Sequence, residues 1–338
     1  MKTILCFGEA LIDFHAQPAA DASSPPAYLP HAGGAPANVA VAAAKLGAHA
    51  AFAGMLGADA FGDLLLRSLA DAGVDMRYVR RTDQANTALA FVSLDAHGER
   101  SFSFYRPPAA DLLFRSGHFD AQAFAEAGVF HVCSNSLTEQ TIAAVTLEGM
   151  ARARDAGALV SFDMNLRPAL WPAGENALPR LWRALAAADL VKLSVEELDV
   201  MAADAGSREA VYQRLWQGHA QCLVVTDGAA DIQWLTPSCA GRFPPHAVPA
   251  VDTTGAGDAF VGGLLYGLAE RGVRADALAA LIADDDAREA LLGFAAACGA
   301  LAVGRRGSFS AMPDKGEVDR FLAAHASRGA PATGALAG

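Results

Sequence analysis

Asp252-Thr253-Thr254 running into Gly255-Ala256-Gly257-Asp258 brings carboxylates, hydroxyls and close-approach glycines into one short stretch. The approach from Val248 to Val251 suits a strand. Beyond Asp258, the residues Phe260, Val261, Leu264, Leu265 and Leu268 fall on one face of a helix. A small-residue turn therefore opens a helix, with Asp258 in its first turn. N–H groups there lack intrahelical acceptors, and the positive dipole end adds to them, so the turn is an anion site. Glycine admits a phosphate close to the backbone. The amides of Gly255, Ala256, Gly257 and Asp258 would form an anion hole for a transferred phosphoryl group. The Asp258 carboxylate would take a hydroxyl proton as general base. The helix N-terminus is expected to lower the Asp258 pKa, which a base accepting a late proton tolerates.

A second stretch has the parts of a polyol site. Gly33-Gly34-Ala35-Pro36-Ala37-Asn38 leads into an alanine-rich run ending at Gly47. Pro36 suits a helix start and Gly47 its C-terminal stop. The glycine pair lets backbone amides approach a small polyol, and Asn38 offers both donor and acceptor. Ser161-Phe162-Asp163-Met164-Asn165-Leu166-Arg167 follows a strand, where ligands sit in open α/β sheets. Arg167 there suits a clamp on phosphate or substrate oxygens. Lys192-Leu193-Ser194-Val195-Glu196-Glu197 also ends a strand and places two carboxylates just past it. A carboxylate reaching through water suits Mg²⁺.

These groups need elements to hold them. Ile4–Phe7 reads as a first strand, with a Pro/Ala/Ser-rich connection over 18–31. A helix over 37–46, a strand near 50–54 and a helix near 61–72 come next. Thr87–Leu94 and Arg100–Arg106 are strand-like runs about Asp95–Glu99, a hairpin signal. On the second run Phe102, Phe104 and Arg106 share one face. Strands near 128–133, 158–163, 189–193 and 221–226 then alternate with helical segments, which predicts a parallel sheet covered on both faces. The C-terminal part reads as helices over 256–271, 274–302 and 314–325, with Asp284-Asp285-Asp286 as the place where the middle one breaks. The fold class is α/β: a doubly wound, mainly parallel sheet with a small discontinuous β element. The larger domain takes 1–12, 33–85 and 108–328, and the β element takes 13–32 and 86–107. The Gly/Ala/Pro tail, 329–338, is expected to be disordered.

With 338 residues and 53% hydrophobic content the chain can bury a large core. A net charge of −11 argues against nucleic acid and anionic membrane as partners. Cys6, Cys133, Cys222, Cys239 and Cys298 are widely spaced and form no C-x-x-C pair, so neither a zinc site nor a disulfide framework is expected. The first residues reach Gly8-Glu9 and Asp13 too early for a secretory signal, and the expected location is the cytoplasm. No G-K dipeptide, and so no Walker P-loop, occurs. No G-x-G-x-x-G follows the first strand, and there is no His-Glu pair.

Asp252–Asp258 with its apolar helix resembles the C-terminal signature of the ribokinase-like (PfkB) sugar kinase family. Gly33–Asn38, with Gly47 and Gly57, resembles the N-terminal one. The resemblance implies a β lid over a sugar site, with ATP and Mg²⁺ required. It implies Asp13, Gly33, Gly34, Asn38, Phe104, Arg106, Arg167 and Asp258 as sugar contacts. Asn165, Ser194, Thr226, Gly228 and Gly257 would serve the nucleotide, Glu197 would hold Mg²⁺ through water, and Asp252 and Thr254 would bind K⁺. Ser194 replaces the family's Asn in its N-x-x-E word, a variant associated with fructokinases. Asp231 stands where another Gly is frequent. Ala296 stands where an Asn flanks adenine, which bears on base selectivity and not on phosphate binding. Glu99–Asp111 resembles the fructokinase lid. The implied activity is phosphoryl transfer from ATP to the 6-hydroxyl of fructose, with the lid also pairing two copies as a homodimer. The alternatives are a 2-keto-3-deoxygluconate kinase, whose two arginines would hold the substrate carboxylate, and a sugar- or nucleotide-binding regulator without catalysis.

Overall fold

The computed structural model describes residues 1–17, 27–94 and 100–329 of the chain. Residues 18–26 of the connection expected over 18–31, the hairpin tip at 95–99 and the tail from 330 onward lie outside the described residues, while residues 28–31 are not irregular but belong to a strand that pairs with residues 13–16. β1 (Thr3–Phe7) opens the chain. It is followed by β2 (Leu11–Ala16), β3 (Tyr28–Gly33), α1 (Ala35–Lys45), β4 (Ala50–Gly57), α2 (Ala60–Asp71), β5 (Val79–Thr82), β6 (Leu89–Leu94) and β7 (Arg100–Tyr105). Helix and strand then alternate through α3 (Ala121–Glu126), β8 (Ala127–Cys133), α4 (Gln140–Asp155), β9 (Leu159–Asp163), α5 (Leu178–Ala187), β10 (Leu190–Ser194), α6 (Val195–Ala205), α7 (Arg208–Trp216) and β11 (Cys222–Asp227). β12 (Ala230–Leu235) and β13 (Ala240–Phe243) form a hairpin. Helices α8 (Ala256–Glu270), α9 (Ala275–Ala283), α10 (Asp285–Val303) and α11 (Lys315–Gly329) complete the fold.

The large sheet has nine strands in the order β13-β12-β11-β10-β9-β8-β1-β4-β5. The pairs from β11 through β5 are parallel, whereas β11–β12 and β12–β13 at the other edge are antiparallel. Strands buried on both faces read as unbroken apolar runs, and β4 is buried at every position. In β1, Ile4 and Cys6 join the core on one face of the sheet, and Leu5 and Phe7 join the core on the other. That is the side-chain alternation of a strand applied to a doubly covered sheet.

α8 is buried from Asp258 to Ala269, not along one stripe only. It lies between α1 and α10, and small residues let the three backbones close up. A Cβ at Gly262 would overlap that of Ala42 on α1, and one at Gly263 would stand 2.7 Å from Cys298 Sγ on α10. The aspartate run breaks the C-terminal helical stretch as its composition predicts: Asp284 ends α9 and caps α10, accepting from the Ala287 amide at 2.8 Å.

β3-β2-β6-β7 form a separate four-stranded sheet. Its strands include Leu11, Ile12 and Gly33, which the sequence reading placed in the larger domain. β5 and the β12–β13 hairpin were not anticipated. They are short, and charged or glycine-containing at positions such as Arg80, Arg81 and Gly241. Among the described residues no helix is long and apolar enough to cross a membrane.

The α1–α8 contact sets a testable constraint. Gly262→Val should cost about 1–3 kcal/mol through overpacking against Ala42. A denaturant midpoint equal to that of the wild type would show that this contact yields freely.

Candidate active site

The chain leaves β1 on one side for β4 and on the other for β8, so the strand order reverses there. Ligands of open α/β sheets bind above such a switch point, at the strand C-termini. A cavity of about 470 Å³ occupies this position, in the range of small-molecule sites. Its floor comes from strand ends: Glu9 after β1, Asn135 after β8, Asp163 from β9 and Asn165 just after it, and Lys192 and Ser194 from β10. Gly255, Gly257 and Asp258 enter from the start of α8. Leu11, Asp13 and Phe104 close it from the small sheet.

Asp258 is 6% exposed, and both of its oxygens are held. Asn38 Nδ2 donates to Oδ2 at 2.7 Å, and Asn165 Nδ2 donates to Oδ1 at 3.2 Å. Asn165 reaches it from a left-handed backbone (φ 37°), which asparagine tolerates better than most residues. The expected fall in the Asp258 pKa does not hold. Burial raises it, against the Asn38 hydrogen bond and the charges of Arg167 and Lys192. Dehydration of the carboxylate outweighs the groups that favour its charge.

Gly255 caps α8 in the left-handed region, with φ 74°. The Ala256 amide turns back to the Thr253 carbonyl at 3.3 Å. Gly255, Gly257 and Asp258 are therefore the first-turn donors left for an anion. The Gly34 turn has φ 103°, and a Cβ there would lie 2.6 Å from the Glu9 carbonyl oxygen, so only glycine fits. At Gly33 a Cβ would overlap the Asp13 carboxylate, which brings that carboxylate against the loop.

Asp13 is the second carboxylate of the cavity. Burial, then the nearby charges of Asp258 and Glu9, push its pKa up to about 7. Glu9 was not anticipated. Its Oε1 accepts from the Ala35 amide at 3.2 Å and from Asn135 Nδ2 at 2.9 Å. Among the described residues its Oε2 has no hydrogen-bond partner, nor have Asn38 Oδ1 and Asn135 Oδ1. Asp163 and Lys192 also line the cavity, and the sequence pattern does not mark either as a site residue. They pair at 3.2 Å, with Lys192 8% exposed. What unites the missed residues is a place at or just past a strand's C-terminal end, a signal that needs strand ends fixed to the residue.

Glu197 accepts from the Leu166 amide at 2.7 Å and the Ser194 amide at 2.7 Å, while Ser194 Oγ accepts from the Glu197 amide at 3.2 Å. This is a capping box. Arg167 lies at the cavity and is exposed. Arg106 is not in the cavity lining. It is 1% exposed, and its Nε donates to Asp111 Oδ2 at 2.8 Å and its Nη1 to Thr138 Oγ1 at 3.0 Å. The guanidinium is engaged behind the wall, where its charge acts on Glu9. Thr226 and Gly228, at the end of β11, also lie outside the cavity lining. Asp252 is buried and accepts from the Thr254 amide at 2.8 Å and the Gly307 amide at 3.3 Å. It thereby joins the turn before α8 to the loop after α10.

The family model for pfkB family carbohydrate kinases matches residues 1–315. The chain is 40% identical over 322 residues to fructokinase-1 of Oryza sativa subsp. japonica, covering 95% of this chain and 98% of that protein. Its fold is similar to that of the ATP-bound fructokinase of Xylella fastidiosa, with a TM-score of 0.92, 55% identity and coverage of 96% of this chain and 99% of that one. It is also similar to a double mutant of the fructokinase of Vibrio cholerae O395 in its fructose-, ADP- and potassium-bound form, with a TM-score of 0.83, 33% identity and coverage of 95% and 98%. With both signature turns folded around one cavity at the switch point of its sheet, the chain belongs to the pfkB family of carbohydrate kinases.

Proposed function

We propose that this kinase is a fructokinase that transfers the γ-phosphoryl group of ATP to the 6-hydroxyl of fructose. The observation that carries the reading is the buried Asp258 carboxylate, held by two asparagines beside the unpaired amides that open α8. In the reaction the sugar O6–phosphorus bond forms and the bond from phosphorus to the β-phosphate oxygen breaks. The electron pair leaves with ADP, and the hydroxyl proton passes to Asp258. The raised pKa of Asp258 makes it a stronger base than a surface aspartate. The amides of Gly255, Gly257 and Asp258 stabilise charge on the transferred group.

The sugar side favours a neutral polyol. Glu9, Asp13, Asp163 and Asp258 all line the cavity. The unpartnered oxygens of Glu9, Asn38 and Asn135 call for hydroxyl donors. A substrate carboxylate would meet these acceptors, with Arg106 committed to Asp111. The named relatives are fructokinases, which selects fructose among neutral sugars. Mg²⁺ bound with the nucleotide would neutralise phosphate charge. Glu197 already receives two amides, and its remaining lone pairs fit a metal's water better than the ion itself. Asp252 and Thr254 are the proposed K⁺ position, since Asp252 braces the turn that carries the anion hole.

ADP release with fructose and with 2-keto-3-deoxygluconate tests the substrate. Fructose should give the larger kcat/KM, and a preference for the acid would sink the assignment. Arg106→Ala should act mainly on stability. It leaves Asp111 buried and unpaired, a loss of about 3–5 kcal/mol, readable in a denaturant titration.

Asp258→Asn should keep the fold, because an amide oxygen still accepts from Asn38. It should lower kcat by roughly 10²–10⁴ and move the fructose KM much less. Near-normal turnover would remove Asp258 from the role of base.

Asp13 gives a pH signature. Its carboxyl holds a proton below about 7 in the free protein and so loses acceptor capacity for sugar hydroxyls there. The kcat/KM for fructose should rise with pH through a midpoint near 7, and Asp13→Asn should flatten that step. The same raised pKa stabilises the free protein at low pH, and that contribution is lost as pH rises toward 7. A wild-type profile flat from about pH 6 to 8 would contradict the role given to Asp13.

A further inference from the structure

We propose that Lys192 is a catalytic residue that donates hydrogen bonds to the oxygens of the transferred phosphoryl group, completing the anion hole from the strand side. The proposal rests on the kinase reading and on the placement of phosphate at the start of α8. Two cationic side chains line the cavity, Lys192 and Arg167. Arg167 is exposed, whereas Lys192 is 8% exposed at the end of β10. Its ammonium faces the first turn of α8: a Cβ built on Gly257 would stand 3.5 Å from Lys192 Nζ, and that is the one neighbour such a Cβ would meet. Glycine at 257 therefore leaves open space between the ammonium and the helix's unpaired amides, where an anion can touch both.

The ion pair with Asp163 does not exhaust the lysine. Its contacts to Asp163 are 3.2 Å and 3.4 Å, at the long end for a charged pair. An ammonium has three donors, and Asp163 is the one acceptor seen for it among the described residues. Charge balance gives the same answer. Asp163, Glu197 and Asp258 all act on Lys192. A phosphoryl group brought beside three carboxylates needs a cation in contact, and Arg106 is spent on Asp111. In this role Lys192 transfers no proton. It stays charged and stabilises the equatorial oxygens as the bond to the sugar forms and the bond to ADP breaks.

The competing account makes Lys192 only the partner that keeps Asp163 buried. Four variants separate the two: Lys192→Met, Lys192→Arg, Asp163→Asn, and Lys192→Met combined with Asp163→Asn. Thermal melting, steady-state kinetics and calorimetric binding of ADP and of the non-hydrolysable β,γ-imido analogue of ATP are measured on each. Lys192→Met should lower kcat by roughly 10²–10³, with the fructose KM changing less. Lys192→Arg should recover part of that loss. The double variant removes both charges and should melt close to the wild type, yet keep the low kcat. The analogue should bind the double variant about tenfold more weakly than the wild type, while ADP, which lacks the γ-phosphoryl group, binds it about as before. Asp163→Asn, which keeps the cation, should retain the preference for the analogue over ADP. Recovery of kcat in the double variant, or unchanged analogue binding in both lysine variants, would overturn the proposal. A wild-type protein that phosphorylates a sugar other than fructose refutes the fructokinase reading and leaves this comparison intact, because each variant is measured against the wild type on the sugar it uses.

Discussion

The site depends on one arrangement, a carboxylate taken out of water at the N-terminus of a buried helix. Asp258 holds its orientation through Asn38 and Asn165, which come from α1 and from the turn after β9. Three segments far apart in sequence must therefore meet within hydrogen-bond distance. For α1 to bring Asn38 to Asp258, its backbone must lie close to α8 along the contact between Ala42 and Gly262. The alanines of α1 and the glycines of α8 are thus conditions of the chemistry. They set the distance between two helices that each carry half of a hydrogen bond. The turn before α8 is fixed from the other direction. The amides of Val251 and Asp252 donate to the Val303 carbonyl at 2.9 Å and 3.0 Å, and Asp252 takes the Gly307 amide. Lys45, at the end of α1, donates to the Phe309 carbonyl at 2.7 Å, so the helix that carries Asn38 grips the same loop.

The same burial sets the electrostatics of the free cavity. Glu9, Asp13, Asp163 and Asp258 are each raised above their ordinary pKa, and in each case dehydration is the leading cause. Carboxylates crowded at one concave surface cannot all be charged at little cost. Donors from a ligand relieve that cost, and sugar hydroxyls are donors of suitable size. The orphaned oxygens of Glu9, Asn38 and Asn135 make the same demand in neutral form. On the proposed function an acidic chain still accepts an anionic nucleotide, because the amides at the start of α8 and the cations Lys192 and Arg167 gather at the same cavity.

Much of this was legible in the sequence, for physical reasons. The turn Gly255–Asp258 shows itself because small residues, a carboxylate and an apolar helix must adjoin there. The alternation of strands and helices gave the sheet, and the aspartate at 284 broke its helix where composition said it must. What stayed hidden depends on neighbours that only folding supplies. Arg106 shares the strand parity of Phe104, which lines the cavity, yet Asp111 and Thr138 draw its guanidinium behind the wall. Glu9, just past β1, and Lys192, within the last residues of β10, are single residues with no local pattern to mark them. The Asp258 pKa shifts opposite to the direction a helix N-terminus predicts, because that terminus is visible in sequence and the degree of dehydration is not.

The cavity divides its labour between two sheets. Asp258, Asn165 and Lys192 come from the large sheet and the helix packed on it, where cores on both faces leave little freedom. Asp13 and Phe104 come from the small sheet, whose Tyr28, Leu29 and Tyr105 remain exposed. On the proposed roles, the groups that would handle charge stand on the more densely packed side, and the groups that would grip the sugar stand on the side with less packing. Gly33 and Gly34 lie at the junction, and Glu9 is held beside it by the Ala35 amide and by Asn135. Glu9 therefore links the position of the sugar loop to the strand ends that frame the cavity. A sugar hydroxyl donating to Glu9 Oε2, on the proposed function, would meet a group held at once at the start of α1 and just past the end of β8, the helix and the strand end on either side of the cavity floor.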